Sequence, residues 1–229
     1  PTKKILIMKL HKIYIAALTL GIGVLATSCS GDFLDLTPKS NMNEEDFYKT
    51  AEDFSTARVS AYATLYNEYA PENGLSFTEM MTDECTAYEG KVFLERTTGS
   101  NTDVIPFVNY NLEPSNTIVK HTWQTAYSDL NVINKALDKL TASTDFASTP
   151  TGLQYQAELR FLRALYHFNM VRLFGPIPIV DHSLTVSESY GVLRSPEEDV
   201  YKFIIDDLNF AIQNLPLRSA ATQGGQITK

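Results

Sequence analysis

Cysteine is scarce in this chain, occurring only as Cys29 and Cys85 in 229 residues. The lipid-attachment pattern described below claims Cys29, which leaves Cys85 alone and allows no intramolecular disulfide. Stability must then come from packing. Basic residues are also short, with 19 Lys and Arg against 27 Asp and Glu and a formal charge of -8. A nucleic-acid binder needs a basic face to neutralise phosphates, so that class is excluded. His121, His167 and His182 lie far apart, without an HExxH or CxxC companion, so neither a metal site nor a cofactor is expected. Membrane-length apolar runs are missing as well. Ile13 to Ala26 falls short of the roughly 20 residues that cross a bilayer. What is present, 44% hydrophobic and 20% charged residues, is the composition of an ordinary folded protein.

The N-terminal region reads as an export signal. The first methionine is Met8, so residues 1–7 are treated as an upstream extension. Lys9 and Lys12 then form a charged region, Ile13 to Ala26 an apolar one, and "LATSC" a small-residue cleavage site. "LATSC" resembles a lipobox, in which cleavage before Cys29 frees an amine for acylation and the thiol carries diacylglycerol. Several acyl chains hold a protein at a bilayer surface far more firmly than one, because each buried methylene adds about 0.8 kcal/mol. Residues 8–28 are thus assigned to a lipoprotein signal peptide. Residues 29–42, rich in acids and turn formers, are assigned to a tether, and residues 43–229 to a helical domain.

Within that domain the apolar spacing is helical. Asn43 is a plausible N-cap, with Glu44, Glu45 and Asp46 in the first turn, followed by Phe47, Ala51, Phe54, Ala57 or Arg58, Ala61, Leu65 and Tyr69 on one face. From Glu72 to Thr117 the period is lost, and glycines and prolines predict long loops with a short helix or strand. A second helix spans about Ile118 to Thr141 with Trp123, Tyr127, Leu130, Ile133 or Asn134, Leu137 and Leu140 inward. After a Ser/Thr-rich connector a third spans Gln154 to Phe174, with Ala157, Phe161, Ala164 or Leu165, Phe168, Val171 and Leu173 at three- and four-residue spacings. Gly175 suits a left-handed C-terminal cap, and Pro176 and Pro178 stop the helix from resuming. In the last helix Ser195 can cap, Pro196 fits the first turn, and Glu198 can close a capping box. The expected fold is all-α, built of tetratricopeptide-like helix pairs, with long irregular loops on the ligand face.

"CSGDFLDLTPKS", "MTDECTAY", "HTWQTAYSDLNVINKALDKL", "AELRFLRALYHFNMVRLFGPIPIV" and "SPEEDVYKFIIDDLNFAIQNLP", in that order and spacing, resemble the N-terminal half of a SusD/RagB family lipoprotein. The resemblance implies a lipid-anchored, surface-exposed outer-membrane protein. Such a protein would lie as a lid over a SusC-type TonB-dependent transporter, capture glycans, or in some members peptides, and pass them on. Family members run to more than twice this length, so the second half, which supplies part of the ligand site, is expected to lie beyond this sequence. A helical scaffold that docks the transporter and has little glycan affinity is the alternative.

Sugar binding needs flat aromatic faces for stacking and planar amides or carboxylates for paired hydroxyl contacts. The loop region offers Asp83, Tyr88, Phe93, Asn101, Phe107, Asn109 and Tyr110, and Asp83, Tyr88, Asn101 and Tyr110 are taken as the ligand-binding set. Tyr88 and Asn101 best match the family's contact loop. Trp123, by its register with Tyr127 and Leu130, is assigned to scaffold packing rather than to a sugar platform. His167 is expected to be a hydrogen-bonded scaffold residue, and Arg160, Arg163 and Arg172 to brace neighbouring helices through Glu158 or loop acids. The adjacent pairs Asp83/Glu84 and Asp206/Asp207 diverge along the chain and cannot flank one glycosidic bond at glycosidase spacing. No catalytic residue is expected, and Asp206 and Asp207 are assigned to a wet helix face.

Overall fold

The computed structural model describes residues 47–69, 103, 105–108, 110–219 and 224–229. All of them belong to the unit Phe47–Lys229. They form six helices: α1 (Ala51–Glu68), α2 (Ile105–Val108), α3 (Thr117–Ala142), α4 (Pro150–Phe174), α5 (Val186–Ser189) and α6 (Glu197–Asn214). Among the described residues there is no strand, only one antiparallel bridge between Ile177 and Ser195. The all-α expectation is met.

α1 starts later than its acidic run suggests. Asn43 to Asp46 lie outside the described residues; Tyr48 has φ 69°, which a right-handed helix cannot carry, and Thr50 is the cap. The Thr50 hydroxyl accepts from the Asp53 N–H at 3.2 Å while the Asp53 carboxylate accepts from the Thr50 N–H at 2.8 Å, a capping box. α3 is capped by Asn116, whose Oδ1 accepts from Ile118 N–H at 2.9 Å. α4 reaches back into the Ser/Thr connector, with Thr149 as cap and Pro150 in the first turn. Gly152 is required there, since a Cβ would stand 2.0 Å from the Phe146 carbonyl oxygen. At the other end Gly175 ends the helix at φ 67° and ψ -130°, a positive φ that glycine allows, though not the left-handed cap expected. The expected capping box on α6 is absent. Pro196 is the cap without a side-chain bond, and Ser195 instead donates its backbone N–H to the Ile177 carbonyl at 2.8 Å.

α4 is the central element, packed against α1, α3 and α6. A helix with neighbours on several sides has no single wet face. Leu159, Leu162, Tyr166 and Met170 are buried, but so are Glu158, Arg163 and His167, whereas Phe168 and Leu173 are more than one-third exposed. The expected apolar stripe is therefore only partly the buried one. On α6 the residues Val200, Ile204, Asp207 and Ala211 face inward. Tyr201, Ile205, Leu208 and Ile212 share a second stripe roughly 100° round the helix, along which Ile205 is 54% and Ile212 58% exposed.

Where α1, α3 and α4 meet, the core is polar. Tyr166 donates to Thr64 at 2.9 Å and lies 3.1 Å from Asp129, and Asn169 bridges Glu68 at 3.4 Å and the Tyr69 hydroxyl at 3.0 Å. Burial pushes the Glu68 carboxyl up to about 7, and it raises Asp129 as well.

Candidate functional site

Two buried ion clusters hold the framework. In the first, Glu158 accepts from Arg58 and from the Tyr62 hydroxyl, each at 2.7 Å, and from Gln154 at 2.9 Å. The Arg58 guanidinium lies over the Tyr155 ring, 4.5 Å from its centroid. In the second, Arg163 of α4 grips Asp207 of α6 through two bonds of 2.7 and 2.8 Å. Asp207 is thus buried rather than on the wet face, which Asp206 does occupy, paired to Lys202 at 2.8 Å. A carboxylate meeting a guanidinium in this fork pairs both of its oxygens, which is what lets it leave water. Of the three arginines, Arg163 braces α4 against α6 through Asp207, and Arg160 lies 3.6 Å from the same carboxylate; Glu158 takes Arg58 instead, and Arg172 donates at 3.1 Å to Asn169 on its own helix.

The same framework fixes the segment after α4. His167 is buried, with Nδ1 2.9 Å from the Arg163 carbonyl, and Nε2 accepts from the Val180 N–H at 3.3 Å. An Nε2 that accepts leaves the proton on Nδ1, a neutral ring. Burial lowers its pKa to about 4, in agreement with that form. His167 is therefore the hydrogen-bonded scaffold residue its sequence context suggested. From the other side α3 offers one stripe: Tyr127 donates to the Pro178 carbonyl at 3.0 Å, Asn131 accepts from Leu184 N–H at 2.9 Å, Asn134 donates to the Val180 carbonyl at 2.9 Å, and Asp138 accepts from Ser183 N–H at 2.7 Å. Steps of four, three and four residues keep these side chains on one helix face. The polar half of that pattern is visible in the sequence, but its target, an irregular segment more than 40 residues away, is not.

Trp123 continues the stripe towards the start of α3 and separates two clefts. The smaller, about 480 Å³, lies between α3 and residues 178–192 and is walled by Trp123, Tyr127, Asn131, Pro178, Leu184 and Thr185 among others. The larger, about 740 Å³, lies where residues 107–114, the start of α3 and the end of α4 meet; Phe107, Pro114, Lys120, Trp123, Phe174 and Arg194 help to line it. The indole packs edge-on against Phe174 at 5.1 Å and near Tyr127 at 4.9 Å, with the Arg194 guanidinium 5.8 Å from its centroid. The assignment of Trp123 to the scaffold covers half of its role: it rests on the core and also presents surface to both clefts. Its position on a helix face just beyond the loop was the available signal.

Of the expected ligand set, Asp83, Tyr88 and Asn101 lie outside the described residues, as do Phe93, Asn109, Cys29, Cys85 and the Asp83/Glu84 pair. Tyr110 is described, 65% exposed with φ 56°, in the segment that walls the larger cleft but not itself lining it. Phe107 is buried and does line it. Among the described residues no group of three or more His, Cys, Asp or Glu is placed to hold a metal ion, and no helix is long and apolar enough to cross a membrane.

The helical fold is similar to that of solved SusD-like structures. One, from Bacteroides fragilis, superposes with a TM-score of 0.63 at 20% identity over 82% of this chain and 34% of that one. A laminarin-binding SusD-like protein gives 0.63 at 27% identity over 79% and 38%. Residues 32–228 match the family model described as starch-binding associating with outer membrane, and the chain belongs to this SusD-like family. SusD-like protein P2 of Formosa agariphila is 28% identical over 210 residues, covering 91% of this chain and 39% of that protein. A SusD-like protein of Bacteroides ovatus is 24% identical over 197 residues, covering 86% and 34%. The chain thus spans between 34% and 39% of these two relatives. The family is one of carbohydrate-binding, non-catalytic proteins associated with the outer membrane.

Proposed function

We propose that the protein is a cell-surface, lipid-anchored glycan-binding protein that captures oligo- or polysaccharide and hands it to a TonB-dependent outer-membrane transporter of the SusC type. The observation that carries this reading is the match of residues 32–228 to a family described as starch-binding and outer-membrane-associated. The 27% identical laminarin-binding neighbour supports a glycan rather than a peptide as ligand. Aromatic surface suits the task, because a ring face stacks on the apolar face of a pyranose while neighbouring amides and carboxylates take its hydroxyls. Trp123 offers such surface, and Asp83, Tyr88, Asn101 and Tyr110 in the α1–α3 connection are the further proposed contacts. Anchoring is assigned to Cys29 after removal of residues 8–28, with residues 29–42 as tether.

Two experiments test the reading. Calorimetric titration of the chain with laminari- and malto-oligosaccharides should give saturable heat that Trp123→Ala weakens; no heat with any glycan would remove the ligand-binding claim. Cys29→Ala should abolish acylation and retention in the outer-membrane fraction. If that variant still fractionated with the membrane, the anchoring claim would fail.

A further inference from the structure

The two clefts share Trp123 yet differ in charge. No charged side chain lines the smaller one, whose polar groups are hydroxyls and the Asn131 amide. The larger combines ring and aliphatic carbon from Phe107, Trp123 and Phe174 with two cations, Lys120 and Arg194, against the single acid Glu113. Among the described residues the ion pairs join other partners, and neither Lys120 nor Arg194 takes part in one. That is unusual placement in a chain of net charge -8. Both cations are held at the cleft by the fold. Lys120 lies one turn before Trp123 on the same face of α3, where the positive end of the helix dipole adds to its field. Arg194 immediately precedes Ser195, whose N–H···O bond to Ile177 fixes the backbone, and its guanidinium sits at the Trp123 ring.

We infer that the larger cleft binds a sugar unit bearing a negative group, a uronate carboxylate or a sulfate ester. The pyranose face lies on the Trp123 side and the anion between Arg194 and Lys120, with Glu113 free to accept from hydroxyls. An arginine fork suits either oxyanion, and a charge-assisted bond to it is roughly twice as strong as a neutral one. The inference rests on the glycan-binding reading proposed above.

The test uses the full chain, titrated with oligogalacturonate, a sulfated galactan oligosaccharide and neutral laminari-oligosaccharide. Expected is tighter binding of at least one anionic probe than of the neutral one, by about tenfold and weakening with salt. Arg194→Gln should remove that advantage, with Arg194→Lys restoring part of it. Arg194 is exposed, so its loss leaves folding intact, and circular dichroism verifies this. The two anionic arms decide between carboxylate and sulfate. Neutral sugar bound as tightly as both anionic probes, or an unchanged preference in Arg194→Gln, overturns the inference while leaving the glycan reading in place. Silence with all three sugars overturns the inference, and the glycan reading falls with it when malto-oligosaccharide is silent too.

Discussion

Arg163 and Asp207 are 44 residues apart in sequence and joined by a two-bond fork in the interior, with Arg163 Nη1 also donating to Asn134 at 3.1 Å and to the Asp181 carbonyl at 2.6 Å. One guanidinium thus ties together α3, α4, α6 and the segment that walls the smaller cleft. Asp207→Ala strands a buried cation and should cost about 3–5 kcal/mol of stability, measured by urea unfolding. Replacing Arg163 by Met at the same time should recover only part of the loss, because Asn134 and the Asp181 carbonyl then lose their donor. A cost below about 1 kcal/mol for the single variant would contradict this account.

Glu68 makes stability depend on pH in the opposite sense to most carboxylates. Its pKa is about 7 in the folded protein against 4.5 when unperturbed, through burial, so between those values the folded state keeps a proton that the unfolded chain has lost. The contribution is complete below pH 4.5 and disappears as pH rises through 7. Glu68→Gln should match the parent at pH 4 and exceed it by roughly 3 kcal/mol at pH 8. Equal gains at both pH values would point to packing instead.

His167 acts at the acid end. With a folded pKa near 4 against 6.5, its stabilising neutral form contributes fully above pH 6.5 and is lost as pH falls through 4. An NMR titration of the ring carbons should therefore find its midpoint well below 6.5, and a midpoint near 6.5 would refute the buried, Val180-bound geometry.

Gly152→Ala should destabilise by about 1–3 kcal/mol or more, since the added methyl would drive into the Phe146 carbonyl at the start of the central helix. Thermal unfolding measures it directly. A neutral result would mean that the Phe146 turn yields.

The helices were legible because α3 has one well-marked apolar face; Leu130, Ile133, Leu137 and Leu140 are all buried as their spacing requires. α4 was harder to read. Periodicity assumes one wet side, and Glu158, Arg163 and His167 are buried because partners from α1, α6 and the following segment satisfy them. Asp207 was misassigned for the same reason: its partner lies on another helix, and no local pattern announces it. Tyr110 and Phe107 show the limit at the site, since two aromatics three residues apart, one just after α2 and one within it, end up exposed and buried respectively.

The Tyr127, Asn131, Asn134 and Asp138 stripe has a consequence for how this protein can change. A helix meets its client only at side chains one or two turns apart, so α3 acts as a ruler that dictates where residues 178–184 are pinned, while residues 185–192 have no bond to it through those four side chains. Length and composition can therefore vary in the far wall of the smaller cleft without retouching its frame. Inserting a single residue between Trp123 and Tyr127, by contrast, would rotate Trp123 about 100° relative to the four pins and alter both clefts at once.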